Sequence, residues 1–287
     1  MSRDTATVSS EDRAAVTASI AAAMDGARPD EDDRFRSTGD DPEGRFVRDM
    51  AAEAAGHLEG KPAERILAWA AAVVPRFTVT SSFGAESAVL LHMVSTAAPE
   101  VPVVFLDTDF HFSETIDYRR RLARDLGVTV LDVRPALSPK QQAQRFGEAL
   151  FDRDPDACCA LRKTEPLRRA LTMYDGWATG VRRVQTPERA ATPIVEARRH
   201  DDRWLVKVAP LAAWTDEDVL AYQVRNDLPF HPLVAKGYRS IGCAPCTLPV
   251  AADADARAGR WSAFGKTECG LHLAGDDSTD RLTTTPG

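Results

Sequence analysis

Five cysteines carry most of the chemistry available to this sequence. Cys158 and Cys159 are adjacent, Cys243 and Cys246 form a C-x-x-C pair much later, and Cys269 stands alone near the C-terminus. Thiolates in fours hold zinc or an iron–sulfur cluster. Zinc sites usually draw on two C-x-x-C-like pairs, so the adjacent Cys158-Cys159 favours a four-iron cluster. Cys269 differs: it sits in Lys266-Thr267-Glu268-Cys269-Gly270-Leu271-His272, after the last clear apolar periodicity, with no cysteine at x-x spacing. Such a thiol is placed to move and to react. A reactive thiolate needs cations nearby, for which Lys266, His272 and incoming arginines are candidates; Glu268 opposes it.

The elements that must position these groups read as an alternation of strands and helices. Phe46, Val47, Met50, Ala51, Ala54 and Leu58 recur at helical spacing, as do Ala63, Ile66, Leu67, Ala70, Val73 and Val74. Strands are expected at Phe77–Ser81, Pro102–Leu106, Val128–Val133, Trp177–Val181 and Trp204–Val208. Between them fall helices at Ala88–Ala97 and Ser113–Leu126, with Ser113 as cap, and one capped by Thr215 that runs to about Asn226. That order predicts an α/β fold: a Rossmann-like parallel sheet with helices on both faces. Beyond Pro229 the pattern names no element.

In such a sheet, ligands lie outside the carboxyl ends of the strands. The first strand runs into Ser81-Ser82-Phe83-Gly84-Ala85-Glu86-Ser87 and then a helix N-terminus, where backbone N–H groups and the helix dipole favour an anion. The stretch lacks the lysine of a Walker P-loop. From Ser82 to Ser87 it resembles the S-G-G-x-D-S loop of ATP-pyrophosphatase-like enzymes, departing at Phe83 and Glu86, which suits a ligand other than ATP. Leu106-Asp107-Thr108-Asp109-Phe110-His111 ends the second strand at the same edge. Arg182 and Arg183 follow a later strand, and Arg257 and Arg260 with Trp261 precede Cys269. Arginine forks suit phosphate or sulfate oxygens, so the substrate is expected to be anionic. Lys163, four residues past Cys159, can reach both a cluster and a bound anion.

The formal charge is −7, but residues 1–45 hold eleven acids against six arginines and the last fourteen hold three acids against one arginine. The remainder is neutral, which argues against a nucleic-acid binder. No apolar run is long enough to span a membrane, and Asp4, Glu11 and Asp12 precede the Ala-rich Ala14–Met24 where a signal peptide would be basic. Few cysteines at metal-like spacing suit a reducing compartment, so a cytoplasmic protein is expected. The domain reading is a mobile acidic tail over 1–45, a nucleotide-binding α/β domain with the cluster over 46–250, and a C-terminal segment with the reactive cysteine over 251–287.

Taken together, Cys158-Cys159, Ile241-Gly242-Cys243-Ala244-Pro245-Cys246 and Glu268-Cys269-Gly270-Leu271-His272, with Ser82-Phe83-Gly84 and Leu106-Asp107-Thr108, strongly resemble the assimilatory adenylyl-sulfate reductases. The resemblance covers about Phe46 to Leu273. It implies an adenine-nucleotide alpha-hydrolase-like, PP-loop-type fold, with a [4Fe-4S] cluster on Cys158, Cys159, Cys243 and Cys246. It further implies that Cys269 attacks the sulfur of adenylyl sulfate, AMP leaves, and thioredoxin releases sulfite from the cysteine S-sulfonate. Ser81, Ser82, Phe83, Gly84 and Ser87 would cradle the phosphosulfate and sugar, and Leu106 would lie by the adenine. Lys163, Arg182, Arg257 and Arg260 would meet the anionic groups. Asp109-Phe110 stand where relatives tend to have Gly-Tyr. The alternatives are a phosphoadenylyl-sulfate or dual-specificity reductase, a tRNA-thiolating pyrophosphatase, and an iron–sulfur or zinc sensor with Cys269 as a regulatory thiol. The thiolating enzyme would need an intact S-G-G-x-D-S and a basic face, and neither is seen.

Overall fold

The computed structural model describes residues 41–264, 266 and 268–271. The tail expected over 1–45 lies outside them up to residue 40, as does His272. Helix α1, Pro42–Leu58, begins four residues before the apolar period at Phe46. Pro42 and Glu43 make a favourable first turn without any apolar residue, so periodicity alone misses it. There follow α2 (Ala63–Val73), β1 (Phe77–Thr80), α3 (Ser87–Ala97), β2 (Val103–Leu106), α4 (Ser113–Leu126) and β3 (Val130–Val133). The chain then builds α5 (Pro139–Phe146), the one-turn α6 (Leu150–Arg153), α7 (Pro155–Cys159), a π-helical turn (Ala160–Thr164) and α8 (Glu165–Leu171). The last elements are β4 (Gly176–Thr179), β5 (Val195–His200), β6 (Arg203–Val208) and α9 (Asp216–Arg225). After α9 only 3₁₀ turns and isolated bridges remain among the described residues, consistent with the loss of pattern past Pro229.

The sheet order is β3-β2-β1-β4-β6-β5. All neighbours are parallel except β5, which pairs antiparallel with β6 from Val195↔Val208 to His200↔Arg203. The parallel sheet expected from the strand and helix alternation is found, with one departure, the antiparallel β5 at its edge. Val195-Glu196-Ala197-Arg198-Arg199-His200 carries little apolar content because one side of an edge strand meets water. A second correction concerns α4: Phe112 takes the cap position, and Ser113 Oγ instead donates to Glu114 Oε2 at 3.1 Å. Thr215 does cap α9, in a reciprocal box with Asp218.

The strand pleat divides the core. Phe77, Val79, Val103, Phe105, Ala178, Val206 and Val208 point to one face, where residues of α1 to α4 and α9 cover them. Leu106, Trp177 and Leu205 point to the other and meet Leu167 and Leu171 of α8. Helices therefore lie on both faces, as expected.

One buried group makes this scaffold acid-sensitive. His231 is almost wholly buried; its Nδ1 accepts from the Leu233 backbone N–H at 3.1 Å, so Nε2 donates to Thr115 Oγ1 at 3.1 Å. Burial pushes the imidazole down to about 4, against a small upward pull from Glu114. A depressed histidine stabilises the fold above the unfolded value near 6.5 and loses that contribution as pH falls toward the folded value. Urea unfolding is expected to show about 2 kcal/mol lost between pH 7.5 and 5 from this group. His231→Gln should remove that part of the pH dependence; equal pH slopes in both proteins would assign the acid sensitivity elsewhere.

Candidate functional site

The chain runs from β1 through β2 and β3 to one side and returns at β4 on the other, so the topological switch point lies between the carboxyl ends of β1 and β4. β1 delivers the Ser81–Ser87 loop there. Phe83 takes φ +50°, a left-handed conformation that its loop motif fills with glycine. The strain, of order 1–2 kcal/mol, is offset by burying the ring fully against Phe105, edge to face at 5.4 Å between centroids. The Phe83 side chain thus belongs to the core, and only its backbone faces the loop. Its N–H donates to Ser81 Oγ at 3.2 Å. A Cβ on Gly84 would stand 3.2 Å from the Ile241 carbonyl oxygen, so the loop abuts the segment that carries Cys243.

β4 delivers Arg182, buried and engaged: Nη2 donates to Glu86 at 2.5 Å and Asp216 at 2.7 Å, and Nη1 to the Trp214 carbonyl at 3.3 Å. Arg182 therefore shapes the loop through Glu86, while Arg183 is spent on Glu59. Both strand-end arginines, expected to suit an anion, are thus held by carboxylates of the protein.

The four paired cysteines do assemble. Cys158, Cys159, Cys243 and Cys246 line one cavity with Phe110, Phe151, Arg162 and Lys163, and all are free thiols. Two arrangements bring them together. The π turn directly after Cys159 inserts into an otherwise continuous helix, as such turns often do at functional sites, and presents Arg162 and Lys163 beside the cysteines. The other pair arrives through a backbone bridge between His111 and Cys243 and the 3₁₀ turn Ala244–Cys246. Thr108 Oγ1 lies 3.3 Å from Cys243 Sγ, and Gln142 Nε2 lies 3.9 Å from Cys158 Sγ. Burial pushes the Cys159 thiol up to about 12, Cys246 up to about 11, and Cys158 upward. Among the described residues, no three His, Cys, Asp or Glu side chains converge tightly enough for a single metal ion.

Arg162 binds this cavity to the sheet. It is fully buried and donates to Gln142 Oε1 (2.8 Å), the Thr108 carbonyl (2.9 Å) and Asp109 Oδ2 (3.2 Å), with its guanidinium 4.6 Å from the Phe110 ring centroid. Asp109 has φ +58°, and the Asp107 carboxylate accepts from its N–H at 3.1 Å. Arg162 and Asp107 thus hold an aspartate in a left-handed turn of the kind that favours glycine. His111 is half-buried, with Nε2 2.9 Å from the Leu106 carbonyl.

Cys269 is half-buried beside this cavity, within electrostatic reach of Cys159, Lys163 and Arg257. Burial alone would lower the Lys163 ammonium, but the facing sulfur groups of Cys243, Cys159 and Cys269 raise it overall. Lys163, Arg260 and Lys266 surround the Trp261 ring at 5.8, 4.5 and 5.4 Å. Arg260 lies so close over Gly242 that a Cβ there would meet its Nη2 at 2.3 Å. Lys266 pairs with Asp156, and Leu271 packs on the apolar cluster that includes Leu106. Glu268, expected to oppose a thiolate, is buried and paired with Arg189 and Arg257, so its charge is balanced. Lys163 and Arg257 therefore act on Cys269, Arg260 joins Lys163 at the Trp261 ring, and Arg182 is held by Glu86 and Asp216 instead. Sequence reasoning misses Arg162, Arg189 and Gln142: each is a long polar side chain amid surface-like neighbours, and only burial reveals its use.

Comparison with known proteins places this geometry in context. Residues 76–249 match the model of the phosphoadenosine phosphosulfate reductase domain. The adenosine 5'-phosphosulfate reductase of Streptomyces coelicolor is 46% identical over 227 residues, covering 79% of this chain and 94% of that protein. The protein of that name from Mycobacterium tuberculosis is 43% identical over 245 residues, covering 79% of this chain and 95% of its own. The crystal structure of phosphoadenylyl-sulfate reductase from Candida auris superposes with a TM-score of 0.62 at 29% identity, covering 70% of this chain and 97% of that one.

Proposed function

The chain belongs to the phosphoadenosine phosphosulfate reductase family, and from that premise we propose that it reduces adenylyl sulfate to sulfite and AMP in sulfate assimilation. The observation that carries the reading is the gathering of Cys269 with Lys163 and Arg257 beside a four-thiol cavity. Relatives named for adenylyl sulfate at 43–46% identity favour that substrate over its 3′-phosphorylated form, for which the 29% identical Candida auris protein is named.

The chemistry follows from the groups. The Cys269 thiolate attacks the sulfate sulfur, the bond from sulfur to the bridging phosphate oxygen breaks, and AMP leaves with that electron pair. The product on the enzyme is a cysteine S-sulfonate. A dithiol protein of the thioredoxin class then attacks Cys269 Sγ, sulfite departs, and the second thiol closes a disulfide and frees Cys269. Two electrons pass from dithiol to sulfur. Lys163, Arg257 and Arg260 balance the charge that develops on AMP and sulfonate oxygens. Arg260 Nε and Trp261 Nε1 are buried with no hydrogen-bond partner among the described residues, a deficit that a bound anion would relieve. Ser81, Ser82, Gly84 and Ser87 receive the nucleotide phosphate at the α3 N-terminus, with Phe83 contributing backbone only, and Leu106 lines the base side. Arg182 acts through Glu86 rather than on the substrate.

The donor set fits a [4Fe-4S] cluster on Cys158, Cys159, Cys243 and Cys246. Four soft donors line one cavity, and the adjacent Cys158-Cys159 pair is unlike the paired C-x-x-C ligands usual for zinc. Arg162 and Lys163 in the lining offset the thiolate charge. The cluster would supply a fixed charge and a tie between two chain segments; the electrons come from the dithiol. Thiols of this kind suit a reducing compartment, so a cytoplasmic location accompanies the proposal. Among the described residues no helix is long and apolar enough to cross a membrane.

Intact-protein mass spectrometry after mixing anaerobically purified protein with adenylyl sulfate, without thioredoxin, tests the reading. A sulfonate adduct on the Cys269 peptide is expected. An adduct only from the 3′-phosphorylated nucleotide would move the substrate; none from either would favour the sensor.

A further inference from the structure

Resting on the function proposed above, we infer that Arg189 is a positioning residue that docks the Cys269 segment onto the nucleotide domain. Arg189 is buried, and its Nε and Nη2 donate to Oε1 and Oε2 of Glu268 at 2.6 and 2.7 Å. The fork is bidentate, the geometry in which arginine holds a carboxylate best. Thr186 Oγ1 donates to Glu268 Oε1 at 3.1 Å, and Arg257 Nη2 lies 3.6 Å from Oε2.

Arg189 is itself oriented. Its Nη1 donates to Gln185 Oε1 at 2.6 Å, and that oxygen also accepts from the Arg182 backbone N–H at 3.1 Å. Gln185 Nε2 donates to Glu86 Oε2 at 3.2 Å. A continuous line of hydrogen bonds thus runs from the residue beside the nucleophile to the loop after β1.

The described residues past Phe264 form no helix or strand, so side-chain anchors fix Cys269 there. The anchors are Glu268, Lys266 on Asp156, and Leu271 on the second apolar cluster. Of these Glu268 is the most deeply buried charge, with a side chain 2% exposed against 8% for Lys266, and it alone has a buried partner. A carboxylate so deeply buried is held only while its partner is present. Removing Arg189 therefore releases the segment rather than merely weakening it. The reaction needs such a dock: Cys269 must be held for in-line attack and then reached by an external dithiol.

The test uses the full chain with its cluster, purified anaerobically, as wild type, Arg189→Ala, Arg189→Lys and Glu268→Gln. Iodoacetamide alkylation of Cys269, mapped by peptide mass spectrometry, reports docking without any turnover. In Arg189→Ala and Glu268→Gln it is expected to quicken about fivefold. Single-turnover formation of the S-sulfonate is expected to slow about tenfold or more, with AMP affinity and cluster content within about twofold of wild type. Arg189→Lys, which keeps the charge without the fork, should fall between. Unchanged alkylation and sulfonation would overturn the inference, and so would losses accompanied by loss of cluster and AMP binding, which would mark Arg189 as general scaffold. If wild type forms no adduct while the variants alkylate faster, the dock stands and the proposed reaction falls.

Discussion

Cys269→Ser is expected to lower sulfite release by on the order of 10³-fold or more, with no S-sulfonate detectable on the protein. A serine hydroxyl at neutral pH is neither ionised nor soft enough to displace AMP from a sulfate sulfur, whereas a thiol beside fixed cations supplies both properties. The substitution should leave everything else in place. The segment keeps its anchors at Glu268, Lys266 and Leu271. Cluster colour and affinity for AMP, measured on the same preparation, should therefore match wild type. Turnover within tenfold of wild type would remove Cys269 from the mechanism whatever the other readouts show.

How much of this is legible in the sequence depends on the kind of signal. The βα alternation from Phe77 to Val133 is plain because short β-branched and aromatic runs alternate with helical periodicity, even at β3, which lies at the sheet edge and is only partly buried. The edge strand Val195–His200 is hidden because half of it faces water and reads as loop. The five cysteines stand out because thiols at close spacing are rare without a use. That four of them meet is expected from the sequence, but how they meet is not readable, since it depends on a π turn after Cys159 and on a bridge from Cys243 to His111. Charged residues are the least legible. Arg182, Arg189 and Arg162 look alike in the sequence, yet one shapes a loop, one holds a carboxylate, and one binds the cavity to the sheet. Each role is fixed by which long-range acceptor lies within reach, and no local pattern encodes that. Glu268 shows the same point in reverse: next to a nucleophile it looks adverse until its buried partner is seen.

Cys158→Ser and Cys246→Ser are each expected to yield a colourless protein with activity lower by on the order of 100-fold or more. A hard, protonated hydroxyl is a poor replacement for a thiolate at iron, and either change removes one tie between the two segments that line the cavity. The two substitutions separate what the proposed cluster would contribute. Cys158 lies one residue before Cys159 and immediately ahead of the π turn that carries Lys163, so its loss acts directly on the frame of a cation that faces Cys269. Cys246 lies on the other segment, in a 3₁₀ turn whose carbonyl accepts from the Trp261 N–H at 3.2 Å, and reaches Lys163 only through the cavity. If the cluster acts by tying the segments and setting the field at Lys163, both variants should form the S-sulfonate slowly to the same degree while AMP binding, which rests on the loop after β1, persists. A marked defect in Cys158→Ser with near-normal sulfonation in a colourless Cys246→Ser would mean that the helix frame matters and the cluster does not. Iron content, visible absorbance and single-turnover adduct formation on the same samples distinguish these outcomes, and a colourless variant with full activity would end the assignment of any role to the cluster.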